Sequence, residues 1–132
     1  MTLPPQSKRH SRTPRTHTGA RAESIVADYL LNLGFTILDR NVRVGHLEID
    51  LLARLDDLIA VVEVRHRGSG SWQGPFESIT PAKRERLRKA GKILWQRRFA
   101  RDRTVNRMRF DVAAVTFDVE DRASVEYVPA AF

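Results

Sequence analysis

Residues 45–65 read Gly-His-Leu-Glu-Ile-Asp-Leu-Leu-Ala-Arg-Leu-Asp-Asp-Leu-Ile-Ala-Val-Val-Glu-Val-Arg. Two strand-like runs flank Asp56-Asp57, a pair suited to the tip of a two-residue hairpin loop. That tip opposes Ala53 to Ala60, Leu52 to Val61, Leu51 to Val62, Asp50 to Glu63, Ile49 to Val64 and Glu48 to Arg65. One face of such a hairpin, carrying Ile49, Leu51, Ala53, Ala60, Val62 and Val64, is wholly apolar and reads as core. The other face sets Asp50 against Glu63 beside Leu52 and Val61. Opposed side chains in a hairpin have Cβ atoms roughly 4.5–5.5 Å apart, and like charges there destabilise it. A divalent cation held between the two carboxylates would remove that cost. A slip of one residue in register would also remove it, as would solvation by water and Arg65.

The rest of the chain supplies elements to either side. Ala22, Val26, Tyr29, Leu30 and Leu33 recur at helical spacing, which predicts a helix from Gly19 to about Leu33 ended by Gly34. Glu23 falls in its first turn, where a carboxylate suits the helix dipole and could also reach a site on the sheet. Phe35 to Val44 reads as a strand whose apolar phase changes, predicting a bulge near Asn41. Residues 66–75 form a Gly/Ser-rich loop carrying Trp72, which packs back on the domain or stacks on a base. Thr80-Pro81 opens a second helix to about Phe99, with Leu87, Ala90, Gly91, Leu94 and Trp95 inward and Ile93 partly so. One turn back along that stripe stands Lys83. Met108 to Phe117 is a strand interrupted by Asp111, and Ser124 to Val128 is a short edge strand. The order is α-βββ-α-β-β, without internal repeats.

A chain of 132 residues with 42% hydrophobic content makes one domain with a real core. Nothing approaches the roughly 20 apolar residues of a membrane span, so no membrane partner is expected. Cysteine is absent, which excludes disulfides and thiolate zinc sites and suits a cytoplasmic chain. None of the four histidines makes a close metal-ligand pair with another. The net charge is +7, and the isoelectric point is about 10.7. Five basic residues lie in 1–22 without an acid, and twelve more lie in 81–109 against only Glu85 and Asp102. Such segregation is the footprint of a polyanion binder. Residues 1–18 read as a disordered basic tail and 19–132 as the folded domain.

Taken in order, certain residues carry a resemblance. They are Gly19 and Glu23, then Gly34-Phe35 with Asn41 and Arg43, then Glu48-Ile49-Asp50-Leu51. Val62-Glu63-Val64 with Arg67, Ile79-Thr80-Pro81 with Lys83, and Arg109-Phe110-Asp111-Val112 follow. From Gly19 to Val128 the chain resembles the YraN-like family of small bacterial endonuclease-like proteins, in the restriction-endonuclease-like superfamily marked by the PD-(D/E)xK motif. The resemblance implies an α/β, restriction-endonuclease-like fold, a central mixed sheet of about five strands flanked by helices. It implies a metal-dependent nuclease hydrolysing phosphodiester bonds in DNA or structured nucleic acid. Asp50 and Glu63 would then bind Mg²⁺ or Mn²⁺, completed by the Val64 carbonyl and sometimes joined by Glu23. Glu48 would be a neighbouring acid able to hold the basic partner of the hairpin. Arg67, Lys83, Arg84, Arg88 and Lys92 would contact the nucleic acid.

The sequence departs from the pattern where the motif has lysine and this chain has Arg65. Arginine is effectively always protonated, so it stabilises charge but cannot act as a base. Leu47 and Ala22 likewise replace family glycines. Three readings follow: slow cleavage supported by Arg65, an ammonium supplied instead by Lys83, or a catalytically impaired nucleic-acid-binding accessory protein. A protein-interaction domain on the same fold is a further class, since fold does not fix function.

Overall fold

Helix α1, His17–Asn32, forms because Ala22, Val26, Ala27 and Leu30 make one apolar stripe, and all four are buried. Its end is set by Gly34, whose φ of +98° only glycine adopts freely. The Gly34 N–H donates to the Leu31 carbonyl and the Phe35 N–H to the Leu30 carbonyl, which closes the last turn. Leu33 was expected in the buried stripe but is 53% exposed, because it belongs to this closure rather than to the helix face. The structure, a computed structural model, describes residues 17–68 and 79–132. The basic tail ahead of His17 and the stretch with Trp72 lie outside the described residues.

Five strands follow the expected order: β1 Thr36–Val44, β2 Leu47–Leu55, β3 Leu58–Arg67, β4 Arg107–Phe117 and β5 Ala123–Val128. They form one sheet in sequence order. Only β3 and β4 pair in parallel; the other neighbours are antiparallel. A parallel pair needs a crossover, and helix α2, Pro81–Leu94, lies in that connection. Its start is set by Thr80, whose hydroxyl accepts the Lys83 N–H at 3.1 Å, and by Pro81. The helical path continues to Phe99 as expected, but its last turn, Trp95–Phe99, widens to a π turn. The bulge expected near Asn41 falls instead between Ile37 and Asp39, while Asn41 takes a left-handed conformation, φ 53°.

The helices cover opposite faces. On the α1 side Ala22, Val26 and Leu30 pack with Leu51, Ala53, Ala60, Val62, Val64, Ala113 and Val115. On the α2 side Leu87, Ala90 and Leu94 pack with Ile49, Leu52, Ile59 and Val61. At Gly91, an added Cβ would stand 2.6 Å from the Phe110 ring and 3.1 Å from the Met108 sulfur. The helix therefore lies against β4 with no room for a side chain there. Among the described residues no helix is long and apolar enough to cross a membrane.

Asp111, which interrupts the apolar run of β4, is fully buried. It accepts from Arg109 Nε at 2.8 Å and Nη2 at 2.9 Å, from the Tyr127 hydroxyl, and from the Ala130 N–H at 2.9 Å. The carboxylate raises the pKa of Arg109, and burial raises that of Tyr127. This network ties β4 to β5 and to the C-terminal turn. Removing one partner of a buried ion pair typically costs about 3–5 kcal/mol. Asp111→Ala should therefore lower stability by roughly that amount in urea unfolding. A loss below about 1 kcal/mol would show that the network carries little of the fold.

Candidate functional site

The β2–β3 hairpin turns at Asp56-Asp57, with Asp56 left-handed at φ 54°. Its ladder runs in the expected register from Leu55–Leu58 to Leu51–Val62. There the paired register ends. Asp50 Oδ2 accepts the Val64 N–H at 2.8 Å, so a side chain takes a donor that flat continuation of the hairpin would have used. The alternation of β2 breaks at the same point. Ile49, expected opposite Val64 on the α1 side, joins Leu52 in the core under α2. Asp50 and Glu63 are therefore not a flat cross-strand pair, and the expected opposition of Glu48 to Arg65 lies beyond the paired register.

Glu63 keeps its place on the α2 side of β3 and is only 4% exposed. Two cations close on one of its oxygens, Oε2: Lys83 Nζ at 2.9 Å and Arg65 Nη1 at 3.1 Å. Arg65 reaches it two residues along the same strand, and Lys83 reaches it from the first turn of α2. On the α1 side Glu23 is 8% exposed and its Oε1 accepts from Asn41 Nδ2 at 3.1 Å. Sequence reasoning missed Asn41 as a site residue. The phase change in β1 was its signal, and the left-handed backbone there accompanies the contact with Glu23.

The electrostatics bind these groups together. Burial pushes the Asp50 carboxyl up to about 8, with the Glu63 and Glu23 charges adding to the rise. The Val64 N–H and the Lys83 ammonium oppose it. Asp50 thus stands within electrostatic reach of carboxylates from β3 and α1. Two hard carboxylates, Asp50 without a cation in contact and Glu63 with one oxygen taken by Lys83 and Arg65, are the donor type that Mg²⁺ and Mn²⁺ take. Among the described residues no set of three or more His, Asp or Glu side chains is already arranged around a common metal position. The fit is thus of two carboxylates, with further ligands to come from backbone or water.

Arg67 and Arg84 stand at the same end of the fold, where β3 finishes and α2 begins. Among the described residues, Arg67 Nη1 and Arg84 Nε are buried without a hydrogen-bond partner. Arg88 pairs with Glu85 at 3.5 Å and lies over the Phe132 ring. Lys92 is exposed in the last turn of α2. Part of the second basic block serves the fold instead: Arg98 binds Asp39, Arg107 binds Asp57 and Arg109 binds Asp111.

The model of a family described as Uncharacterised protein family UPF0102 matches residues 22–115, a span that includes Glu23, Asp50, Glu63, Arg65 and Lys83. A UPF0102 protein of Sorangium cellulosum is 50% identical over 118 residues, covering 89% of this chain and 82% of that protein. One from Anaeromyxobacter dehalogenans is 41% identical over 119 residues, covering 89% and 85%. One from Myxococcus xanthus is 34% identical over 125 residues, covering 95% and 96%.

The raised Asp50 pKa makes stability depend on pH. The folded chain holds this proton more tightly than an unfolded aspartate does. Its stabilising contribution is full below pH about 4 and is lost as the pH rises through about 8. Asp50→Asn keeps an oxygen for the Val64 N–H but cannot ionise. Between pH 5 and pH 9 the wild type should lose stability relative to this variant by a few kcal/mol, read from urea midpoints at each pH. Parallel profiles for the two proteins would refute the assignment.

Proposed function

The chain belongs to the UPF0102 family, and on that premise we propose that it is a metal-dependent nuclease of restriction-endonuclease-like fold. It hydrolyses phosphodiester bonds in DNA or structured nucleic acid. The observation that carries this reading is the break in the β2–β3 ladder. There a half-buried Asp50 with no cation in contact stands within electrostatic reach of Glu63 and Glu23, and Lys83 and Arg65 reach in on Glu63. A structural sheet gains nothing from gathering acids there.

Asp50 and Glu63 are the residues that would hold Mg²⁺ or Mn²⁺. In an extended strand the N–H and C=O of one residue leave on the same side, which turns the Val64 carbonyl toward the same gap. A divalent cation bound there supplies an acidified water and offsets charge on the phosphate under attack. Lys83 takes the part that the motif gives to a lysine where this chain has Arg65. Its ammonium can pass from Glu63 to a phosphate oxygen and can give or hold a proton. Arg65 stays charged and orients Glu63. Arg67 and Arg84, both part-exposed, offer guanidinium charge to flanking phosphates, while Arg88 and Lys92 extend the basic face along α2.

A second reading, a nucleic-acid-binding accessory protein with impaired catalysis, is favoured by one contact. Arg65 and Lys83 occupy the same Glu63 oxygen and already supply positive charge where a cation would act. Incubation with single-stranded, branched and duplex DNA and with RNA, in Mg²⁺ or Mn²⁺ against chelator, separates the two. Cleavage should need the metal and fall at least about a hundredfold in Asp50→Ala and Glu63→Ala. Cutting that survives chelator or both substitutions would sink the metal mechanism. Lys83→Ala should reduce cutting far more than binding, and unchanged rates would remove Lys83 from the mechanism. Binding without cutting in the wild type, with cutting restored in Arg65→Lys, would establish the accessory reading. In either case affinity should fall steeply with salt.

A further inference from the structure

We propose that the pocket between the β1–β2 turn and α2 seats one unpaired nucleobase of the strand whose phosphate lies at Glu63 and Lys83. This rests on the nucleic-acid reading above and names its substrate class: strands with unpaired bases, in preference to intact duplex. The pocket encloses about 310 Å³, at the lower end of the range for small-ligand sites. It is built on the Gly45-His46 turn. Val44, Leu47, Ala90 and Ile93 give it apolar walls, and Arg86 and Lys89 stand among its lining residues. Ile93 is 41% exposed, so an apolar surface faces solvent on a helix that is otherwise strongly basic outside.

Apolar walls framed by two cations complement a ligand that is planar and apolar in one part and anionic in the next. A nucleotide in a strand has that composition. Bases taken out of a stack are held between aromatic or apolar side chains, and the contact tolerates any base because each has a flat apolar face. Among the described residues Arg86 and Lys89 form no ion pair within the chain, which leaves their charge for phosphates.

Position supports the same occupant, because both lining elements lead away from the carboxylate site. On α2, Arg86 and Lys89 follow Lys83 at successive three-residue steps, about 4.5 and 9 Å along the axis. On β2, Leu47 precedes Asp50 by about 10 Å of extended chain. A strand with a phosphate at Lys83 therefore reaches the pocket within about three nucleotides. An intact duplex keeps its bases stacked and has none to place there.

Binding of the full chain to three fluorescent DNAs tests this in chelator, so that cleavage does not interfere. The DNAs are a single strand, the same strand with one abasic position, and a duplex. The single strand should bind roughly tenfold tighter than the abasic strand, the loss expected for one stacked base. Ile93→Gln, an uncharged change at an exposed position, should erase that difference while duplex affinity and the urea midpoint stay unchanged. Leu47→Gln should erase the difference too, with a lower urea midpoint because Leu47 also packs on the α2-side core. With 2-aminopurine at the position that is abasic in the second DNA, fluorescence should change on binding to wild type and not to Ile93→Gln.

Equal affinity for intact and abasic strands, with no effect of Ile93→Gln, overturns this inference and leaves the nuclease reading standing. Absence of binding to any of the three DNAs at low salt overturns both. A concentration-dependent dimer in sedimentation that Ile93→Gln abolishes assigns the pocket to a second copy of the chain and overturns the inference.

Discussion

The hydrogen bond from the Val64 N–H to the Asp50 carboxylate organises the site. A main-chain donor in a central strand is normally taken by the next strand. Here a side chain takes it, at 2.8 Å, and the β2–β3 ladder goes no further than Leu51–Val62. The opening does not unravel the sheet because β3 is held on its other edge. Every residue of β3, from Leu58 to Arg67, pairs with β4. The gap is therefore made in β2 alone, against a strand that stays in place. A site built on such a strand holds its groups better than one built on loops. Glu63 and Arg65 inherit that rigidity, while the change of phase in β2 moves Ile49 to the α2 side and turns Asp50 into the gap.

The distribution of acids explains how the fold accommodates part of the basic block at 81–109. Asp39, Asp57 and Asp111 each take one arginine from residues 81–109 and fasten it to the sheet. These pairs differ in weight. Those of Asp39 and Asp57 are exposed and contribute little to stability, whereas Asp111 is buried with four donors and holds the C-terminal edge. What remains on the outer face of α2 is charge that the fold does not consume.

Much of this was legible because it is local. The Asp56-Asp57 turn sets the near half of the hairpin register, Thr80-Pro81 starts α2, and Gly34 stops α1, each by short-range backbone chemistry. The expected sheet of five strands follows from those punctuation marks and the apolar runs between them. The ladder break was not legible, because alternation continues through Glu48-Ile49-Asp50 in the sequence and nothing periodic marks where a side chain replaces a backbone partner. The contact of Asn41 with Glu23 joins residues 18 apart through a left-handed backbone position. Asp111 read as an interruption of the strand and as part of the resemblance, but not as the centre of a network, since its donors come from β4, β5 and the final turn. Glu63 and Lys83 were each singled out, but their contact depends on how the crossover lays α2 on the sheet.

Lys83 stands where local electrostatics disfavour it. The first turn of α2 has no acid, and it carries Lys83 and Arg84 against the positive end of the helix dipole. A cation there costs about 0.3–1 kcal/mol, where a carboxylate would gain as much. The Thr80 cap also fixes the position: its hydroxyl holds the Lys83 N–H, so the side chain leaves the helix at a set angle. Glu63 offsets the cost in the free protein, at 2.9 Å. The same helix end favours an anion, and a phosphate arriving there would meet the dipole and the Lys83 ammonium together. Arg65 cannot duplicate this, since it comes from the strand and is committed to Glu63 from within the sheet. An ammonium is thus available from α2 beside Glu63, on a side chain whose local penalty is relieved by an acid and would be relieved equally by an anion.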